Sequence, residues 1–184
     1  MSGDEQHTEN RLLFGLFLGL LAWIPWPLGS NRPWSWALLE TGVFTLLALW
    51  CLSRCRRRTP IVLPEGAPLL LKLGGWACLW VLFQVLPLPA ALIEHIQPAS
   101  HSAYYLAPGA QAWMPLTVDV GSTLTEFLKL SAYVGAFALT VILVRGRRRA
   151  LIVLGVLVAT ATAEALYGIT VRLTGAHLGL WDPG

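Results

Sequence analysis

Arg145-Gly146-Arg147-Arg148-Arg149 runs straight into ALIVLGVLVATATAEALYGITV, residues Ala150 to Val171. Such a run, with Glu164 as its single ionisable side chain, is long enough to cross a bilayer core, which takes about 20 residues as helix. Arginines bunched at one end mark the cytoplasmic side of a membrane helix. The same pattern recurs towards the N-terminus. A second run, Trp34 to Ser53, closes on Arg54, Arg56, Arg57 and Arg58. Further apolar runs cover Leu12 to Leu28, Pro68 to Leu88 and Glu126 to Val144. The five together predict an all-α, polytopic membrane protein with about five transmembrane helices, at 12–28, 34–53, 68–88, 126–144 and 150–171.

Composition agrees. Charged residues make up 12 % of the chain and hydrophobic residues 55 %, where a soluble domain carries about 25 % charged residues. The net charge of +3 does not point to nucleic acid, because eight of the thirteen Lys and Arg residues lie in the two clusters just named. Both clusters should be cytoplasmic, since the loop between runs one and two has only Arg32, and the loop over 89–125 has no Lys or Arg. The N-terminus is then inside and the end of the fifth run outside.

Residues 1–11, MSGDEQHTENR, are polar and are expected to form a disordered cytoplasmic tail. Their acidic character and the following Trp23-Ile24-Pro25-Trp26-Pro27 do not suit a cleaved signal peptide, so the first run is a retained helix. Cys51, Cys55 and Cys78 lie outside the expected outer loops, and no disulfide is expected. Cys51 and Cys55 are juxtamembrane, as palmitoylated cysteines are, but are read as ordinary small residues at a helix end. In the loop over 89–125, a short interfacial helix is expected near Ala90 to Gln97, then an irregular stretch on the membrane surface. Thr123 and Glu126 have capping-box spacing and predict a helix start there. Gly15 with Gly19, and Gly155 with Ala159 and Ala163, form small-residue stripes of the kind that let helices approach closely.

Ionisable residues within spans are costly and are functional candidates by default. Lys72 sits near an inner helix end and can snorkel to the headgroups. Glu40, Glu164 and Lys129 fall in the outer halves of their spans, with Gln84 near an outer end and Arg32 and Arg172 at the outer boundary. One reading makes Arg32, Arg172 and Lys129 a set offered to a phosphate, whose oxygens match the arginine fork. The other makes Glu40 and Glu164 partners of these cations, holding helices together. Tyr167 reads as a packing residue, and Asp119 as a turn or cap. No phosphate-binding loop, nucleophile elbow or zinc motif occurs. His95, His101 and His177 are too scattered for a metal site, and no cofactor is expected.

Four stretches together resemble the O-antigen ligase and O-antigen polymerase-like membrane proteins. They are Trp26-Pro27-Leu28-Gly29-Ser30-Asn31-Arg32-Pro33-Trp34-Ser35-Trp36, Phe83-Gln84-Val85-Leu86-Pro87-Leu88-Pro89, Pro115-Leu116-Thr117-Val118-Asp119 and Glu164-Ala165-Leu166-Tyr167-Gly168. The resemblance covers nearly all of the five runs. It implies a bacterial inner-membrane protein that moves glycan from undecaprenyl pyrophosphate to an acceptor at the periplasmic face. It implies neither metal nor nucleotide sugar. Cations facing outward would stabilise the departing pyrophosphate. The family's signature loop, with its Arg and His residues, lies downstream of the matched part, so no catalytic residue carries over. Residues 173–184 then read as the start of a truncated outer loop, and this chain alone is expected to be inactive. A non-enzymatic membrane scaffold or assembly subunit is the alternative. Half of a transporter fits less well, because no internal repeat is visible.

Overall fold

A computed structural model describes residues 3–24, 33–57, 63–105 and 112–174. The elements are α1 (Gly3–Trp23), α2 (Pro33–Arg57), α3 (Ala67–Phe83), β1 (Pro87–Pro89), α4 (Ala90–Ile96), α5 (Pro98–Tyr105), β2 (Trp113–Pro115), α6 (Val120–Leu143) and α7 (Arg147–Thr174). The architecture is all-α apart from one short antiparallel ladder. Among the described residues, three helices are long and apolar enough to cross a membrane, at Trp34–Arg56, Val120–Leu143 and Arg147–Leu173. Asn10–Trp23 and Ala67–Phe83 are shorter apolar helices. Much of their leucine- and tryptophan-rich surface is exposed, Trp76 and Leu166 among it. Water would disfavour such a surface; lipid tails do not.

The described chain forms two compact units. One takes the residues up to Glu65 and from Gly135 onward, the other Gly66–Val134. In the first, α1 packs on α2 and α7. Its core is built from helical stripes: Leu13, Phe14 and Phe17 of α1; Leu39, Val43, Leu46 and Trp50 of α2; Leu139, Ile142 and Leu143 of α6. The three- and four-residue steps place each set on one helix face. Gly135 of α6 is a point of close approach, because a Cβ there would lie 2.8 Å from both Leu47 and Val43 of α2. Gly146, at φ +84°, ends α6 and lets α7 begin at Arg147.

In the second unit, Gly66 takes the left-handed conformation before α3, with Pro68 in the first turn, where a missing N–H costs nothing. β1 pairs with β2 in the register Pro87 to Pro115, Leu88 to Met114 and Pro89 to Trp113. The prolines supply no N–H, so Leu88, Trp113 and Met114 are the ladder's available donors. Ala90 N–H donates to Ala112 O at 3.0 Å, just past the ladder. α4 lies against both strands, and Ile93 and Met114 are fully buried.

Several expectations are corrected. Helix begins at Gly3, where a disordered tail over residues 1–11 is expected from polarity alone. A helix is present near the expected 90–97 as α4, but the described residues after it form α5 and a strand rather than an irregular stretch. α6 starts at Val120, ahead of Thr123, because Asp119 is its cap. Among the described residues, a Cβ on Gly15, Gly19 or Gly155 would meet no atom within 4 Å, so these are not points of close approach. The close approaches fall instead at Gly42, Gly74 and Gly135.

Candidate functional site

The most organised polar cluster gathers where α5, β2 and α6 meet. The Asp119 carboxylate accepts the Ser122 N–H at 3.0 Å and the Ser122 hydroxyl at 2.6 Å, satisfying an orphan donor of the first turn of α6. The Thr123 hydroxyl donates to Asp119 O at 2.8 Å and lies 2.6 Å from the Thr117 hydroxyl. Tyr104 OH reaches across from α5 to Thr117 O at 2.5 Å, and Thr117 N–H donates to Gln84 O at 3.1 Å. The Ser122 hydroxyl, then its backbone N–H, hold the Asp119 carboxyl below the usual carboxylate range; slight desolvation opposes them, and Gly121 N–H adds to the lowering. Burial, and then the Asp119 charge, push the Tyr104 phenol up. An ionised, hydrogen-bonded Asp119 beside a protonated Tyr104 caps and ties. It is poorly suited to proton transfer near neutral pH, because each group sits further from its titration range than usual.

Of the sequence-derived phosphate candidates, Arg32 lies outside the described residues. Lys129 forms an ion pair with Glu126 at 2.6 Å on its own helix, with Lys129 largely shielded and Glu126 exposed. Glu126 is therefore a partner of Lys129 rather than the second half of a capping box. Arg172 is exposed in the last turn of α7, where a cation is favoured by the helix dipole. Glu40 on α2 and Glu164 on α7 are half-buried. Glu164 shares the shielded stripe of α7 with Thr160, Ala163 and Tyr167. Among the described residues, neither Glu40 nor Glu164 takes part in an ion pair. The suggested pairing with Arg32 lies outside the described residues.

Metal chemistry finds no framework: among the described residues, no three His, Cys, Asp or Glu side chains come together. His95 spends its Nδ1 on Ala91 O of its own helix, at 3.1 Å. The free thiols of Cys51 and Cys55 are exposed at the end of α2, and that of Cys78 is half-buried within α3, 3.7 Å from the Ser131 hydroxyl.

One site escaped the sequence, which used the arginine clusters only as markers of orientation. Arg54 of α2, Arg145 of the α6–α7 turn and Arg149 of α7 line one pocket with Asn10 of α1 and Trp50. The guanidinium of Arg54 stands 5.6 Å from the centre of the Trp50 ring, and that of Arg149 stands 4.8 Å from the centre of Phe14. Arg149 Nη1 donates to Leu143 O at 2.7 Å and Arg145 Nε to Ile142 O at 3.2 Å, which satisfies carbonyls at the end of α6. A separate apolar groove of about 530 Å³ lies between α1 and α2, bordered by Leu16, Gly19, Trp23, Leu38 and Gly42. Compared with protein-family models, curated proteins and solved structures, the chain matches none.

Proposed function

We propose that this chain is a membrane module of a bacterial glycan ligase or polymerase that acts on undecaprenyl-pyrophosphate-linked glycan at the periplasmic face of the inner membrane. In this reading α1, α2, α3, α6 and α7 are five spans, with the N-terminus inside and the end of α7 outside, as the arginine distribution suggests. The observation that carries the reading is the meeting of two stretches that prompted the family resemblance. Pro87-Leu88-Pro89 pairs with Trp113-Met114-Pro115, and Gln84 O accepts from Thr117 N–H, so segments some thirty residues apart build one surface. The module would hold the carrier lipid at the outer membrane face, with Arg172 and Arg32 as partners for its pyrophosphate. Lys129 is a weaker candidate, because Glu126 offsets its charge.

The test is glycan transfer in cells carrying Arg172→Gln or Arg32→Gln in the intact system. Each should lower transfer by about tenfold, the usual scale for one charged hydrogen bond. Unchanged transfer in both removes the site assignment.

A non-enzymatic assembly subunit is the second reading, favoured by the open faces at Gly15, Gly19 and Gly155. It requires a partner helix on those faces. A monomer in mild detergent that co-purifies with nothing would count heavily against it.

A further inference from the structure

The arginine pocket is a product of folding rather than of local sequence, since its residues come from α1, α2, the α6–α7 turn and α7. A positive-inside cluster needs only charge near a helix end; it does not need convergence. Here the guanidinium planes are also oriented. Arg54 and Arg149 stand over aromatic rings, and Arg145 and Arg149 are each tethered to a carbonyl of the last turn of α6. Oriented guanidinium forks favour a planar or tetrahedral oxyanion over a diffuse counterion cloud. The room available is about 50 Å³, several times the roughly 10–15 Å³ that one water needs. That suits one small headgroup and not an acyl chain. Arg54 and Arg149 are half-buried and Arg145 is exposed, so the pocket is reachable and yet partly desolvated. Asn10 adds an uncharged side chain able to donate as well as accept.

We propose that this pocket binds a terminal phosphate group, carried by an anionic lipid headgroup or free in solution. The inference does not depend on the glycan-transfer reading, and the two make contact with different arginines. The test titrates the detergent-solubilised full chain with phosphatidic acid and, separately, with phosphatidylcholine, counting bound lipid by native mass spectrometry. Phosphatidic acid should bind more tightly, and Arg54→Gln should weaken it by about tenfold. Arg54→Gln leaves both carbonyl tethers in place, and an unchanged unfolding midpoint in detergent checks that it keeps the fold; Arg149→Gln, which cuts one, should weaken binding at least as much. The control is Arg147→Gln with Arg148→Gln, which removes two charges from the same turn but outside this pocket. It should leave binding within about twofold, because exposed charges contribute little. Competition by millimolar inorganic phosphate identifies a site that reads phosphate alone, whereas failure to compete identifies a lipid site. Equal loss in control and pocket variants, or phosphatidic acid binding no better than phosphatidylcholine, overturns the proposal.

Discussion

The two units are held together by different physics. In the first, apolar side chains interlock between helices. Phe17, Val43 and Leu139 are completely shielded, and Gly135 admits α2 to the surface of α6. In the second, a short ladder and a chain of hydrogen bonds from Gln84 through Thr117 and Thr123 to Asp119 fix the segments around the buried Ile93 and Met114. Packing inside a helix bundle tolerates loss of a polar atom but not of volume. A hydrogen-bonded surface cluster behaves the other way.

The contrast can be broken most forcefully at Phe17. Phe17→Ala should cost about 3–5 kcal/mol, the range for emptying a buried aromatic site, seen as a large fall in the detergent unfolding midpoint. A loss near zero would mean that α1 does not depend on this core. Overfilling comes next. Gly135→Val places methyl groups against Leu47 and Val43 and should cost about 1–3 kcal/mol by the same readout. Tyr104→Phe removes one bond to Thr117 O from the second unit and should cost about 1 kcal/mol. Hydrogen exchange at the first turn of α6 should rise in that variant while the core of the first unit stays protected.

Acidification gives the smallest effect. The Asp119 carboxyl is lower in the folded chain than its ordinary value. Its contribution is present above that ordinary value and is lost as pH falls through the folded one. The start of α6 should fray selectively in acid, and Asp119→Asn should abolish the pH dependence. Fraying that is unchanged in the variant would assign the effect to another group.

Much of the helical framework was legible because apolar periodicity and arginine clusters are local signals. Trp34 to Ser53 and Ala150 to Val171 lie within α2 and α7, whose ends run a few residues further. A short helix was expected near Ala90 to Gln97, and α4 spans Ala90–Ile96. The cap of α6 was legible at Asp119, which the sequence reads as a turn or cap, whereas the helix start suggested at Thr123 was one turn too late, because the Thr123 hydroxyl bonds back to Asp119 O. Close-approach glycines were misread. Regular spacing drew attention to Gly15 and Gly19, whereas Gly42, Gly74 and Gly135 are defined by what faces them: Leu20, Val134, and Val43 with Leu47. No single helix sequence records its neighbour. The arginine pocket was hidden for the same reason, because Asn10, Arg54 and Arg149 become adjacent only after folding.

The threonines of α7 carry a consequence for biogenesis. Thr160, Thr162 and Thr170 each donate their hydroxyl to a carbonyl of their own helix, at Val156, Val158 and Leu166, all at 2.8 Å. Those hydroxyls therefore enter hydrocarbon with their donors already satisfied. Released sideways from an insertion channel, α7 would be stable as a lone helix in lipid before it meets α1. Its late docking would then be decided by shape and by Glu164 rather than by any need to hide polar threonines.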